Sequence, residues 1–138
     1  MSIQSYLLLG DTSGQLNAVG PAVKGDGFYG FSDGLHTISV KLDNFTGRVF
    51  IEATLELHPT DDDWFPVMLS SNHPYVEYPI KPTMPTGTHG DTGMDAFVIM
   101  GNFVFVRARI DRDYVVPTPI TPEDLAGLGS ITHILMNF

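Results

Sequence analysis

The chain has 138 residues, 43% hydrophobic and 17% charged, with seven Lys and Arg against sixteen Asp and Glu for a net charge of −9. That length suits one domain, 1–138, around a single core. So acidic a surface repels phosphate backbones and anionic lipid, which argues against a nucleic-acid or membrane partner. The absence of cysteine excludes disulfides, thiolate catalysis and Cys-based zinc sites.

Fourteen Gly and ten Pro beside a high apolar and aromatic content predict an all-β domain with many turns. The start "MSIQSYLLLGD" has a short apolar stretch and no basic flank, so no signal peptide is expected, and no apolar run approaches transmembrane length. "SYLLLG" reads as a first edge strand. Residues 11–34 carry six glycines and read mostly as loop, with short extended pieces around Ala22–Lys24 and Gly27–Phe31.

The pattern sharpens at 35–57. Ile38, Val40 and Leu42 alternate with Thr37, Ser39 and Lys41. After "DNFTG", Val49, Ile51, Ala53, Leu55 and Leu57 fall on one side, with Phe50, Glu52, Thr54 and Glu56 on the other. Period two over consecutive runs predicts half-buried strands, and Asn44 and Gly47 supply backbone freedom for a hairpin turn between them. "HPTDDD" is then a turn closed by Pro59. "WFPVML" is the next strand, held to a sheet edge by Pro66.

Residues 70–95 hold four prolines and three glycines and read as a long excursion in which only "YVEYPI" is extended. "AFVIMGNFVFVRARIDRDYVV" gives two strands with a turn at Gly101–Asn102. Val104, Val106, Ala108 and Ile110 share one face; Phe103, Phe105, Arg107 and Arg109 share the other. "PTPITPEDLAGLG" leads into one helical turn, with Thr121 as N-cap, Pro122 as first helical residue, Asp124 as capping-box partner and Gly127 or Gly129 as terminator. "SITHILMNF" reads as a final strand pinned in a sheet or against a partner. About eight to ten short strands with one helical turn near the C-terminus predict a two-sheet antiparallel β-sandwich of jelly-roll type.

Candidate chemistry is sparse. Asp61, Asp62 and Asp63 offer oxygens for calcium, but adjacent aspartates on a turn point apart, so a solvated turn is the expected reading. His89, Asp91 and Asp95 carry the same weak signal. His36, His58, His73, His89 and His133 show no metal-ligand spacing, and the cupin "GxHxH" pattern is absent. Ser70 and Ser71 lie in no nucleophile elbow, and "GDGFYGFSDG" lacks a P-loop lysine. Trp64, Phe65, Tyr75 and Tyr78 have the chemistry of a sugar-stacking platform, although a tryptophan heading a strand belongs in the core. Arg107 and Arg109 are expected to pair with Glu52, Glu56 or Asp111 across a sheet. No catalytic residue, cofactor or metal is expected.

The stretches "DNFTGRVFIEATLELHPTDDDWFPV" and "GNFVFVRARIDRDYVVP" together resemble a small β-sandwich module of tailed-bacteriophage virion proteins, nearest to those of T4-like and cyanobacterial myoviruses. The matching runs are Gly47–Leu55, Asp61–Val67 and Phe103–Arg109, about half the chain. A more distant similarity is to discoidin-like adhesion domains. The resemblance implies a non-enzymatic virion component, either a tail, baseplate or fibre-associated subunit or a capsid decoration protein. Such a protein would be assembled in the host cytoplasm, with other virion proteins and copies of itself as partners. The alternative is a carbohydrate-binding module with a surface glycan as ligand. The expected contact surfaces are the 70–95 excursion, the Phe103/Phe105/Arg107/Arg109 face and the final strand.

Overall fold

The computed structural model describes residues 5–31, 33–69, 73–78, 90–115 and 121–138. Alternating burial along Leu35–Phe45 (β4), Gly47–Thr54 (β5), Phe105–Asp111 (β9) and Ser130–Asn137 (β10) follows the alternation of their side chains. Between them lie Ser5–Leu9 (β1), Ala18–Val19 (β2), Val23–Lys24 (β3), Phe65–Pro66 (β6), Val76–Tyr78 (β7), Asp91–Met100 (β8) and the helix Pro122–Gly127 (α1). The first sheet runs β1-β10-β4-β8. In the second, β9 and β5 are central, β2 and β3 both pair with β9, and β6 and β7 both pair with β5. All pairs are antiparallel.

Taking β2 with β3 and β6 with β7 as interrupted single strands leaves two four-stranded sheets. Apart from the link from β5 to β6, which stays in the second sheet, the chain passes from one sheet to the other between successive strands of this set. This is the jelly-roll arrangement. Its core is the inner faces of both sheets, with Ile38, Val40, Ile134 and Met136 of the first opposed to Val49, Ile51, Val106, Ala108 and Ile110 of the second, all fully buried.

Two expected hairpins do not form. β4 pairs with β10 and β8, whereas β5 pairs with β6, β7 and β9. Asn44 (φ 53°) and Gly47 (φ 154°) provide the backbone for a crossing between sheets, not for a return turn. Gly101 (φ 157°) does the same between β8 and β9. Alternation reports which face of a strand is buried; it does not report which sheet the strand joins, because both sheets bury a face on one core.

Other differences are smaller. Residues 91–95, expected in a loop, open β8 because β4 is long enough to pair with them, Lys41 opposite Met94 and Leu42 opposite Gly93. The piece expected to be extended at Gly27–Phe31 is instead a 3-10 turn over Asp26–Tyr29. Leu55 and Leu57, expected on the buried side, are exposed because β5 ends at Thr54. Phe103, expected outside, precedes β9 and is buried. Parts of the 70–95 excursion (70–72 and 79–89) and of the proline connector (116–120) lie outside the described residues. The helix start is as expected: Thr121 and Asp124 form a capping box, with Pro122 at the first turn.

Arg112, just past β9, ties one end of the sandwich together. It is completely buried. Its Nε donates to the Leu16 carbonyl at 3.0 Å, and its Nη1 to the carbonyls of Leu128 at 3.1 Å and Gly129 at 2.8 Å. Its Nη2 donates to the Gln15 carbonyl. The Phe45 ring lies 5.1 Å from the guanidinium carbon. Gly47 is required beside it, since a Cβ there would come within 2.5 Å of the Arg112 side chain. The Arg112→Met substitution keeps the bulk but removes the donor from part-buried carbonyls at Leu16 and Gly129, and such a loss costs about 1–3 kcal/mol for each acceptor left unpaired. A loss of about 3–5 kcal/mol is expected from urea unfolding, with Arg112→Lys intermediate.

Candidate functional site

The outer face of the second sheet gathers three of the four arginines. Cross-strand register sets Glu52 opposite Arg107, Phe50 opposite Arg109 and Arg48 opposite Asp111. The Glu52 carboxylate accepts from Arg107 Nε at 2.8 Å and from Arg109 Nε at 3.3 Å. Arg107 stacks 4.3 Å from the Trp64 ring and Arg109 4.0 Å from Phe50. Arg48 lies between Tyr75 and Tyr114, at 4.5 and 4.0 Å, and binds Glu77 at 2.8 Å. The pairing expected of Arg107 and Arg109 with Glu52 is therefore present, and Asp111 lies 3.9 Å from Arg109. Each guanidinium has both a carboxylate and a π-face. The lattice satisfies itself.

Trp64 is half-buried on this outer face, not in the core. The chain turns before it: Asp61–Asp63 form a 3-10 turn in which the Asp63 carboxylate accepts from the Thr60 N–H at 2.7 Å. That leaves the indole over Arg107 and not under the sheet. Asp61 sits 3.8 Å from Arg107 while itself fully exposed, and Asp62 is exposed too. Among the described residues, no group of three or more His, Asp or Glu side chains converges as a cation site. Asp91 and Asp95 do meet, lining a cleft of about 380 Å³ with Tyr78. There the Tyr78 hydroxyl donates to Asp95 at 2.8 Å, and burial followed by that bond raises its pKa.

The four rings of the expected sugar platform are not set on one open surface. Tyr78 is buried, while Trp64 and Tyr75 each carry a guanidinium over a face. His73 stacks on Tyr75 at 4.9 Å, and His58 is exposed. Ser70, Ser71 and His89 lie outside the described residues. A larger cleft of about 760 Å³ opens where α1 meets the end of β4, lined by Ser13, Asp43, Asn44, Leu125 and Ser130 among others.

Among the described histidines, His36 is the one sealed inside. Its Nε2 accepts from the Asp26 N–H at 3.1 Å, and its Nδ1 faces the Gly34 carbonyl at 3.2 Å, which sets the neutral Nδ1–H tautomer. The rings of Phe103 and Phe138 flank it at 5.6 and 5.3 Å. Burial lowers its pKa below the ordinary 6.5, against opposing effects of the Gly34 carbonyl and the Asp26 charge.

Sequence reasoning passed over the outer face of the first sheet. Leu7, Leu35, Met94, Val98 and Met100 project from it and are exposed. In register across the strands, Leu7 aligns with Leu135, Leu135 with Ser39, and Ser39 with Ala96; Thr37 aligns with Val98 and Leu35 with Met100. The clue lay in the apolar members of 94–100, which gain meaning only once that run is a strand. With this geometry established, no known protein family, curated protein or solved structure matches the chain.

Two outcomes are expected. Glu52→Gln, which leaves two guanidinium groups without their shared carboxylate, should cost about 2–3 kcal/mol, and Trp64→Ala about 1–2 kcal/mol, in denaturant unfolding. Asn at 61 and 62 together should cost under about 0.5 kcal/mol. Separately, the unfolded chain protonates His36 near pH 6.5 while the folded protein keeps it neutral to lower pH. Its contribution to stability is therefore complete above pH 6.5 and declines as pH falls toward the folded value. Urea midpoints at pH 7.5 and 5.5 should show this decline in the wild type and a smaller one in His36→Gln.

Proposed function

We propose that the chain is a non-catalytic structural subunit of a tailed-bacteriophage particle, acting by packing against neighbouring proteins. One observation carries the reading: the outer face of the first sheet is apolar and uncovered among the described residues, in a chain whose net charge is −9. Several large exposed apolar side chains grouped on one face of so acidic a protein mark a contact surface. Two further points support assembly over reaction. The inner faces of β5 and β9 are filled by Val49, Ile51, Ala53, Val106, Ala108 and Ile110, where a jelly-roll enzyme would need polar groups. The arginines of the second sheet are committed to Glu52, Glu77 and aromatic rings. The virion assignment itself rests on the resemblance of Gly47–Leu55, Asp61–Val67 and Phe103–Arg109 to phage structural modules. Jelly rolls serve capsids and lectins alike, so the fold alone does not choose between them.

Glycan binding is the second reading, and one feature favours it. Tyr29 and Phe31 are exposed and stacked with ring centres 5.7 Å apart. Mass spectrometry of particles purified from the encoding phage should find the protein in stoichiometric amount, and a glycan array should give no signal. Absence from particles would refute the virion assignment, and a signal abolished by Tyr29→Ala would favour adhesion.

A further inference from the structure

We infer that the outer face of the first sheet is the contact between two copies of this chain, packed sheet against sheet about a two-fold axis. This names the partner for the assembly surface just described and rests on that surface being a contact.

The face is built like half of a β-sandwich. Thr37, Ser39 and Ala96 form a low central strip, aligned across β4 and β8. Leu7 and Leu135 rise on one side of it; Met94, Val98 and Met100 rise on the other. The large residues are strongly exposed, from 49% for Leu35 to 70% for Met100. Under a two-fold axis in the plane of contact and parallel to the strands, the Leu7/Leu135 margin of one copy lies over the Met94/Val98/Met100 margin of the other, and the small side chains of the central strips let the sheets approach to the usual separation of about 10 Å.

Charge selects a copy as the occupant. The charged side chains alternating outward on β4 are Lys41 and Asp43, side by side at one end of the face and opposite in sign. With a net charge of −9, two copies repel through most of their surface. Here the one carboxylate on the outward side of β4, Asp43, has Lys41 beside it, so the face itself carries no net charge from that strand. A basic partner would find its complement elsewhere on the molecule, where the carboxylates are.

The area suffices. Four strands spaced about 4.8 Å, over about eight residues at 3.4 Å, give a face of about 500 Å². A pair removes about 1,000 Å² from water, the lower bound of a specific interface.

Sedimentation velocity and light scattering of the wild-type chain test this. The expected mass is twice the 15.1 kDa of one chain. Val98→Glu and Leu7→Glu, at exposed positions, should each give a folded monomer by circular dichroism. Because the chain has no cysteine, Ser39→Cys should cross-link copies through a short bifunctional maleimide, whereas Asp62→Cys, in the turn between β5 and β6 of the second sheet, should not. A wild type that stays monomeric at millimolar concentration overturns the inference. So does a dimer that survives Val98→Glu, or one cross-linked equally well through Asp62→Cys. A monomer found in particles would leave the virion reading intact; a dimer missing from particles would remove that reading alone.

Discussion

A buried arginine, Arg112, paired with no carboxylate among the described residues, holds this sandwich in register. Removing a guanidinium from water is costly, and only complete hydrogen bonding offsets it. Arg112 achieves this with backbone carbonyls drawn from two separate stretches, Gln15–Leu16 and Leu128–Gly129. Those carbonyls belong to a loop and to a helix end, where backbone acceptors lack the regular partners of a strand or helix interior. The cost of the charge and the need of the carbonyls cancel each other. The Leu128 carbonyl also accepts from the Thr46 N–H at 2.9 Å, so the crossing from β4 to β5 joins the same node. Gly47 follows as a necessity: the chain passes so close to the arginine stem that no Cβ fits.

The opposite end is closed by different means. His36, wedged between Phe103 and Phe138, anchors an aromatic chain that runs through Tyr29 to Tyr6 and Phe31. Asp26 fixes the turn above it, its carboxylate accepting from the Gly34 N–H and its own N–H donating to the imidazole. One end thus rests on a permanent cation and the other on a titratable ring that must stay neutral. Acid should loosen the aromatic end before it reaches the arginine end. Between them lies the apolar core shared by the two sheets.

What was legible in the sequence follows the range of the forces involved. Strand runs at 35–45, 47–54 and 105–111 announce themselves by alternation, since burial of every second residue is local to a strand. The Thr121–Asp124 capping box is likewise contained within one turn, and the pairing of Arg107 and Arg109 with Glu52 could be anticipated from shared faces. The crossings at 44–47 and 101 were hidden because glycine and asparagine permit a sheet-to-sheet step as readily as a return turn. Trp64 misled for a related reason: its size predicts a core site, but a guanidinium covers an indole face almost as well as a core does. Nothing in "RIDRDY" distinguishes Arg112 from its two neighbours, because its partners lie about a hundred residues upstream and sixteen downstream. The apolar outer face was missed because residues 91–95 read as loop.

The two outer faces solve opposite problems, and the contrast bears on what the molecule does. On the second sheet the polar groups are paired with one another. A newcomer there would have to displace Glu52 from two arginines, or a guanidinium from an aromatic ring, before gaining anything. On the first sheet the large exposed side chains are leucine, valine and methionine, set around Thr37 and Ser39, and these apolar groups lose nothing but water on contact. Electrostatics need not oppose such contact, because charge repulsion between exposed groups falls away beyond a Debye length of about 8 Å at physiological salt. An acidic surface with one neutral apolar face therefore favours association of one geometry while the remaining surface resists unspecific aggregation.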